Sequence, residues 1–234
     1  MIPKIIHYCW FGGKSLPSDV EECIQSWKKF CPDYAIKRWD ESNFDINIHP
    51  FIKAAYDAKA WAFVSDYARL KVVYDNGGIY LDTDVELLKN LDFLRENKCY
   101  IGIQQNEYLC TTGLGFGATK HNPVVQKMLL KYDDLTFCNE NRLSVACPRL
   151  NNAVIYEYGE IIKDSITDLG DVVVYPPKYF DPYGGKNLLC DDTCSIHHYS
   201  ASWTSERNKF KRKIARIIGQ NNIIKVKDLL KRII

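Results

Sequence analysis

Two carboxylates, Asp82 and Asp84, stand two residues apart directly after the apolar run Ile79-Tyr80-Leu81. Alternate residues of an extended chain face one side, so both acids can reach one hard divalent cation. An Asp-x-Asp tripeptide arises readily by chance, so its setting has to carry the weight. In layered α/β proteins ligands bind beyond the carboxyl ends of the strands, and this pair stands at such an end. Upstream, Asp66 and Arg69 lie three apart in Ala60-Trp-Ala-Phe-Val-Ser-Asp-Tyr-Ala-Arg-Leu70. On a helix that spacing makes them neighbours, either as a plain ion pair or as polar groups offered to the same cleft. Trp10, just past an apolar segment and beside Gly12-Gly13, offers a flat face for a base or closes the sheet as a core residue.

The elements that must position these groups follow from periodicity and punctuation. Residues 3 to 9 read as a short buried strand, and Ser18-Asp-Val-Glu21 reads as a capping box opening a helix through about Phe30. Tyr34 to Trp39 is a second strand. The stretch 50 to 76 reads as one helix, stopped at Asp75-Asn76-Gly77-Gly78, and a third strand begins at Ile79. Further strands are expected at Tyr100–Gln104, Gly115–Ala118 and Val172–Tyr175, with a helix from Pro123 to Tyr132. In Arg149-Leu-Asn151-Asn152 an Asn pair opens another helix, and its amides suit a sugar or acceptor. Strands alternating with helices from the start imply an α/β layered fold with a partly parallel sheet.

At 234 residues, 46% hydrophobic and 26% charged, the chain has material for one packed core. The formal charge of +2 is uneven. From Arg207 onward ten basic residues face one acidic one, a net of +9, so residues 1–206 carry 21 minus 28, or −7. This divides the chain into an acidic body, 1–206, which the resemblance given below implies is the catalytic domain, and a basic helical tail, 207–234. An acidic body argues against a nucleic-acid groove. Phe210, Ile214, Ile217 and Ile218 share one face of the tail, which suits an anionic membrane surface or packing on the body. Nine scattered cysteines fit a reducing compartment better than a disulfide framework. No apolar run reaches bilayer length, and the first residues lack a basic segment followed by an apolar one. The expected location is the cytoplasm, with the tail able to hold the protein peripherally on the membrane.

Three segments together carry a resemblance: Ile2-Pro-Lys-Ile-Ile-His-Tyr-Cys-Trp10-Phe-Gly-Gly13, Ser65-Asp66-Tyr-Ala-Arg69 and Asn76-Gly-Gly-Ile-Tyr80-Leu-Asp82-Thr-Asp84. In order and spacing they resemble the DXD-containing sugar transferases of glycosyltransferase family 32, and the glucosylating domains of the large clostridial toxins are similar. The resemblance implies a GT-A, Rossmann-like fold with a mixed, mostly parallel central sheet and a helical C-terminal extension. It also implies a nucleotide-sugar donor, a divalent metal, usually manganese with magnesium as the substitute, and retention at the anomeric carbon. Under it Trp10 stacks on the base, Asp66 and Arg69 hold ribose and sugar, and Tyr80 lies near the nucleotide. Asp82 reaches the sugar and the metal, and Asp84 ligates the metal directly. His198, five before Trp203, matches a third ligand, with His197 as the alternative, and Trp203 would cover the pyrophosphate. Asn152 is the candidate on the sugar side.

The resemblance thus implies a retaining hexosyltransferase using UDP-hexose, with GDP-mannose second, on a saccharide or lipid-linked glycan, in cell-surface polysaccharide synthesis such as capsule formation. Two other readings stay open. A haloacid-dehalogenase-like phosphatase also places Asp-x-Asp after a strand, but wants Thr where Glu86 stands. A non-catalytic nucleotide-sugar or glycan-binding protein could keep the same fold.

Overall fold

The computed structural model describes residues 1–199. The core begins with β1 (Ile5–Cys9), flanked in parallel by β2 (Ala35–Trp39) and β3 (Gly78–Tyr80), with Ile6 opposite both Ile36 and Ile79. Beyond β3 lie β6 (Cys110–Ala118), antiparallel to it, then β5 (Cys99–Ile103), β8 (Val173–Tyr175) and β7 (Thr167–Asp168), giving a seven-stranded sheet in the order β2-β1-β3-β6-β5-β8-β7. β1, β2, β3, β5 and β8 run one way and β6 and β7 the other, so the sheet is mixed and mostly parallel. Helices α1 (Ser18–Phe30), α2 (Pro50–Asp57), α3 (Trp61–Asn76), α4 (Pro123–Leu130) and α5 (Cys147–Tyr156) complete the layers.

His7 pins the start of β3. It is fully buried; its Nδ1 accepts from the Trp39 indole at 3.0 Å, so Nε2 carries the proton and donates to Gly77 O at 2.8 Å. Burial lowers its pKa to about 4, so the ring stays neutral. A Cβ on Gly78 would come within 2.8 Å of that Nε2, and Gly78 has φ +112°, so only glycine fits where β3 begins.

Three local expectations are corrected. Ser18 lies inside α1, because the Pro17 carbonyl already accepts from Val20 and Glu21 at 3.1 Å, and no side chain caps this end. The stretch 50 to 76 is two helices, since Lys59 at φ 54° turns the chain before Trp61. Helix α5 starts at Cys147, so the Asn pair sits in its second turn instead of opening it. A ribbon of β4 (Val85–Leu87) and β9 (Ser195–His197) was not anticipated; it is antiparallel, with Val85 opposite His197. Trp27 of α1 donates to Val85 O at 2.7 Å and Ser26 accepts from Leu87 N at 2.9 Å, which fixes the ribbon against the body. Among the described residues no helix is long and apolar enough to cross a membrane. Trp203 and the basic tail lie outside the described residues.

Candidate functional site

Asp82 and Asp84 occupy the turn between β3 and β4, not a strand, so they converge because the turn folds them together and not through strand alternation. The turn is held at both ends: Leu81 N donates to His7 O at 3.1 Å, and Val85 N to Asp82 O at 3.0 Å. Behind it, α3 delivers Asp66 and Arg69. One guanidinium nitrogen, Nη2, sits 3.1 Å from Asp66 Oδ1 and 3.0 Å from Asp82 Oδ1. The pair is therefore more than an intrahelical ion pair, because Arg69 joins its own helix to the acidic turn. Tyr80 lies beneath: its hydroxyl donates to Asp82 Oδ1 at 3.1 Å, and the Arg69 guanidinium stands 4.9 Å above its ring. Tyr80 itself is buried, with its hydroxyl turned to Asp82.

A third element completes the cluster. The ribbon places His197 Nε2 at 3.1 Å from Asp84 Oδ1 and 4.0 Å from Asp82 Oδ2. Ligand atoms of Asp82, Asp84 and His197 all lie within 4.8 Å of one another, a donor set of two carboxylates and an imidazole that fits a divalent ion. His198 does not join it. Its Nε2 lies 2.9 Å from Glu86 Oε2, because successive residues of a strand point to opposite faces and pairing opposite Val85 commits His197 to the acids. The ring that stands with the two acids is thus that of His197, the alternative, and not that of the expected His198. His197 Nδ1 is buried without a partner among the described residues.

The charges explain the arrangement. Asp66, Asp82 and Asp84 against Arg69 leave −3 plus 1, or −2, when His197 is neutral. Burial pushes the Asp66 and Asp82 carboxyls above the ordinary range, with Arg69 opposing it. Burial works against the charged imidazole of His197, but Asp84 and Asp82 outweigh it and raise its pKa above 6.5. A second positive charge beside Arg69, such as the protonated His197 ring, offsets such a crowd of acids.

The other expected residues fall at the same edge or near it. Trp10 follows β1 beside the end of β3; it is half-buried, and its indole donates to Lys14 O at 2.8 Å. Asn152 spends its amide oxygen on Cys110 N at 3.1 Å, tying α5 to the start of β6. Its neighbour Asn151 is fully buried and donates to Thr112 Oγ1 at 3.1 Å. Asp181, not singled out from the sequence, is fully buried near His197 and accepts from Gln105 N at 2.7 Å. Gly113 was missed as well. A Cβ there would stand 2.4 Å from Asp82 Oδ2, so β6 can pass behind the acid only because that position is bare.

Residues 17–101 match the family described as "Glycosyltransferase sugar-binding region containing DXD motif". An uncharacterized glycosyltransferase of Acanthamoeba polyphaga mimivirus is 29% identical over 220 residues, spanning 87% of this chain and 84% of that protein. The chain is a glycosyltransferase, similar to the DXD-containing enzymes of the family 32 type. This glycosyltransferase is also 30% identical over 119 residues to inositol phosphoceramide mannosyltransferase 3 of Schizosaccharomyces pombe, covering 49% of the chain and 33% of that protein. Among solved structures, PaToxG glycosyltransferase superposes with a TM-score of 0.53 at 20% identity, over 67% of this chain and 69% of its own. The fold is GT-A, as the sequence implied.

Proposed function

We propose that this glycosyltransferase is metal-dependent and retaining, moving a hexose from a nucleotide-sugar donor to a saccharide or lipid-linked glycan. The observation that carries the reading is the convergence of Asp82, Asp84 and His197 ligand atoms within 4.8 Å at the carboxyl end of β3. A divalent ion held by these three supplies Lewis-acid charge neutralisation for the departing diphosphate. Manganese is the preferred ion, since an imidazole beside carboxylates tilts selection away from magnesium. Arg69 keeps a fixed positive charge beside the transferring sugar, where the leaving group builds negative charge. Asp66 orients Arg69 and meets ribose or sugar, Asp82 meets the sugar, and Trp10 offers its face to the base. Asn152, and Trp203 outside the described residues, stand for the sugar side and the pyrophosphate cover.

UDP-hexose is the first donor. GDP-mannose is the second, and the yeast relative, a mannosyltransferase by name acting on a phosphoceramide, supports keeping a mannose donor and a lipid-linked acceptor in view. Front-face attack is favoured over a covalent intermediate, because Asp66 and Asp82 are tied to Arg69 and Asp84 is paired with His197. A role in capsule or other cell-surface polysaccharide synthesis, with the tail at 207–234 on a cytoplasmic membrane face, completes the proposal. The test is nucleoside-diphosphate release from UDP-glucose, UDP-galactose and GDP-mannose with manganese or chelator. Release that needs manganese supports the reading. Release indifferent to chelation, or cleavage of a phosphate monoester in its place, overturns it. Thermal stabilisation by a donor, about 2.7 kcal/mol at 100 times its dissociation constant, without any release would mark a binding protein.

A further inference from the structure

The turn after β2 and the loop after β1 meet at Glu41. Asp40 Oδ1 accepts from Ser42 N at 2.9 Å and Asn43 Oδ1 from Asp40 N at 3.0 Å, so Glu41 projects from a fixed backbone. Its Oε1 accepts from two donors, Gly12 N at 2.6 Å and the Tyr56 hydroxyl of α2 at 3.1 Å. Gly12 lies against Trp61, the first residue of α3: a Cβ there would stand 2.8 Å from Trp61 Cε2, and the Tyr56 and Trp61 rings meet edge to face at 5.2 Å. Glu41, Tyr56 and Trp61 thus form a seat for the middle of the loop. At the loop's two ends Trp10 N donates to Trp39 O at 2.9 Å and the Trp10 indole to Lys14 O at 2.8 Å, so the plane of the indole follows from where residues 12 and 13 carry the Lys14 carbonyl.

We infer that Glu41 is a positioning residue for donor binding, holding the glycine turn of this loop so that Trp10 keeps its face set for the base. The reason lies in Gly12 and Gly13, whose φ of +95° and +68° belong to the residue type with the widest backbone freedom. A loop free to sample other angles has to be ordered when the nucleotide arrives, and affinity bears that cost. The carboxylate oxygen on Gly12 N restricts the turn beforehand, through a charge-assisted bond that is stronger than a neutral one. The same seat ties the loop to α3, which carries Asp66 and Arg69 further along, so the base side and the sugar side are held at one spacing. This role rests on the function proposed above for Trp10 and adds the residue that prepares it.

The test compares full-length wild type with Glu41→Ala, Glu41→Gln, Trp10→Ala and the Glu41→Ala/Trp10→Ala double variant. It reads calorimetric titration of UDP and of GDP with manganese, nucleotide release from UDP-glucose and GDP-mannose, and thermal unfolding. Glu41→Ala is expected to weaken the nucleoside diphosphate that the wild type binds about tenfold, the scale of one charge-assisted hydrogen bond. The donor KM should rise by that factor while kcat falls less than about threefold, since the loss is in binding. Glutamine keeps an oxygen for Gly12 N and the Tyr56 hydroxyl, so Glu41→Gln should return to within about threefold of wild type. A residue acting through Trp10 adds nothing once that ring is gone, so the double variant should match Trp10→Ala. Wild-type affinity in Glu41→Ala, a glutamine variant as weak as alanine, a fall in kcat with KM unchanged, or additive losses in the double variant each overturn the role while leaving the proposed function standing. A wild type that binds neither UDP nor GDP sinks the proposed function and this role with it. Where Glu41→Ala does not unfold cooperatively, Tyr56→Phe keeps the ring on Trp61 and removes the hydroxyl that steadies Glu41, and should cost about threefold in nucleotide affinity; unchanged affinity there overturns the role.

Discussion

The two oxygens of Asp82 face unlike neighbourhoods. Oδ1 meets Arg69 at 3.0 Å and the Tyr80 hydroxyl at 3.1 Å, inside a lattice whose cation is part of the chain and always charged. Oδ2 looks outward past Gly113 to His197 at 4.0 Å, where Asp84 adds a second acid and the facing positive charge is a titratable ring. The inner side is neutralised by covalent structure; on the outer side the titratable His197 ring or, under the proposed metal dependence, a bound cation takes that part. On the proposed function, one carboxylate joins a fixed scaffold to an exchangeable site. The largest effect should come from emptying the outer side. Asp84→Asn is expected to cut manganese-dependent turnover about a thousandfold, as when one preorganised stabiliser of a leaving group is lost. Its unfolding midpoint should hold or rise, because one charge leaves a crowd of like charges. Full turnover in Asp84→Asn would place the cation elsewhere and erase the contrast.

On the inner side the expected loss is in stability. Arg69→Met leaves Asp66 and Asp82 facing each other in a buried setting, and removing one partner of such a cluster costs about 3–5 kcal/mol. Urea unfolding checks this. Arg69→Lys should not restore the wild type, since an ammonium cannot reach Asp66, Asp82 and the Cys147 sulfur in the geometry of a planar fork. A stable, fully active lysine variant would show that the lattice needs charge alone.

The histidines sharpen the outer half. His197→Ala should weaken manganese affinity at least about tenfold, while His198→Ala, which loses a contact with Glu86, leaves it unchanged. Proton and cation compete for the same imidazole, whose pKa is raised above 6.5 chiefly by Asp84 against the pull of burial. Manganese affinity should therefore fall as pH drops through a value above 6.5. In the metal-free protein the sign of the stability change is the reverse: the His197–acid attraction is fully present below 6.5 and fades as pH rises through the raised pKa. Melting at several pH values, with and without manganese, reads both. The stabilisation by manganese should widen toward higher pH.

How much of this could be read from the chain depended on distance along it. Asp66, Arg69, Tyr80, Asp82 and Asp84 lie within one helix–strand–turn unit, where helical spacing and an apolar run mark them as near neighbours, while the turn that joins Asp82 to Asp84 and the Arg69–Asp82 bridge came only with the structure. His197 reaches the acids across more than a hundred residues by pairing two three-residue strands, and nothing in Ser195-Ile-His197-His198 tells which ring will face inward. Of the nine residues of β6 only Gly115–Ala118 were expected; residues 110–114 were not, because periodicity reads side chains and glycines interrupt the pattern of this strand. Gly113, Cys147 and Thr112 matter through what they touch. A bare position against Asp82 or a thiol against Arg69 leaves no pattern in sequence.

The smallest expected effect tests the seam between the halves. Gly113→Ala needs no unusual backbone angle, so its consequence is steric: the new methyl would stand 2.4 Å from Asp82 Oδ2 and 3.2 Å from Arg69 Nη1. Asp82 cannot retreat inward, because Oδ1 is already held by Arg69 and Tyr80. The carboxylate must rotate, and the oxygen that moves is the outward one. Overpacking of this kind costs about 1–3 kcal/mol in stability, less than breaking the inner lattice, while a misplacement near 1 Å can cost activity steeply. Manganese affinity should accordingly fall by a larger factor relative to wild type than Arg69-dependent stability does, read by metal titration beside urea unfolding. If the two fall together, the inner and outer faces of Asp82 are one cooperative unit; if only affinity falls, the scaffold and the exchangeable site are separable, as the unlike partners of the two oxygens require.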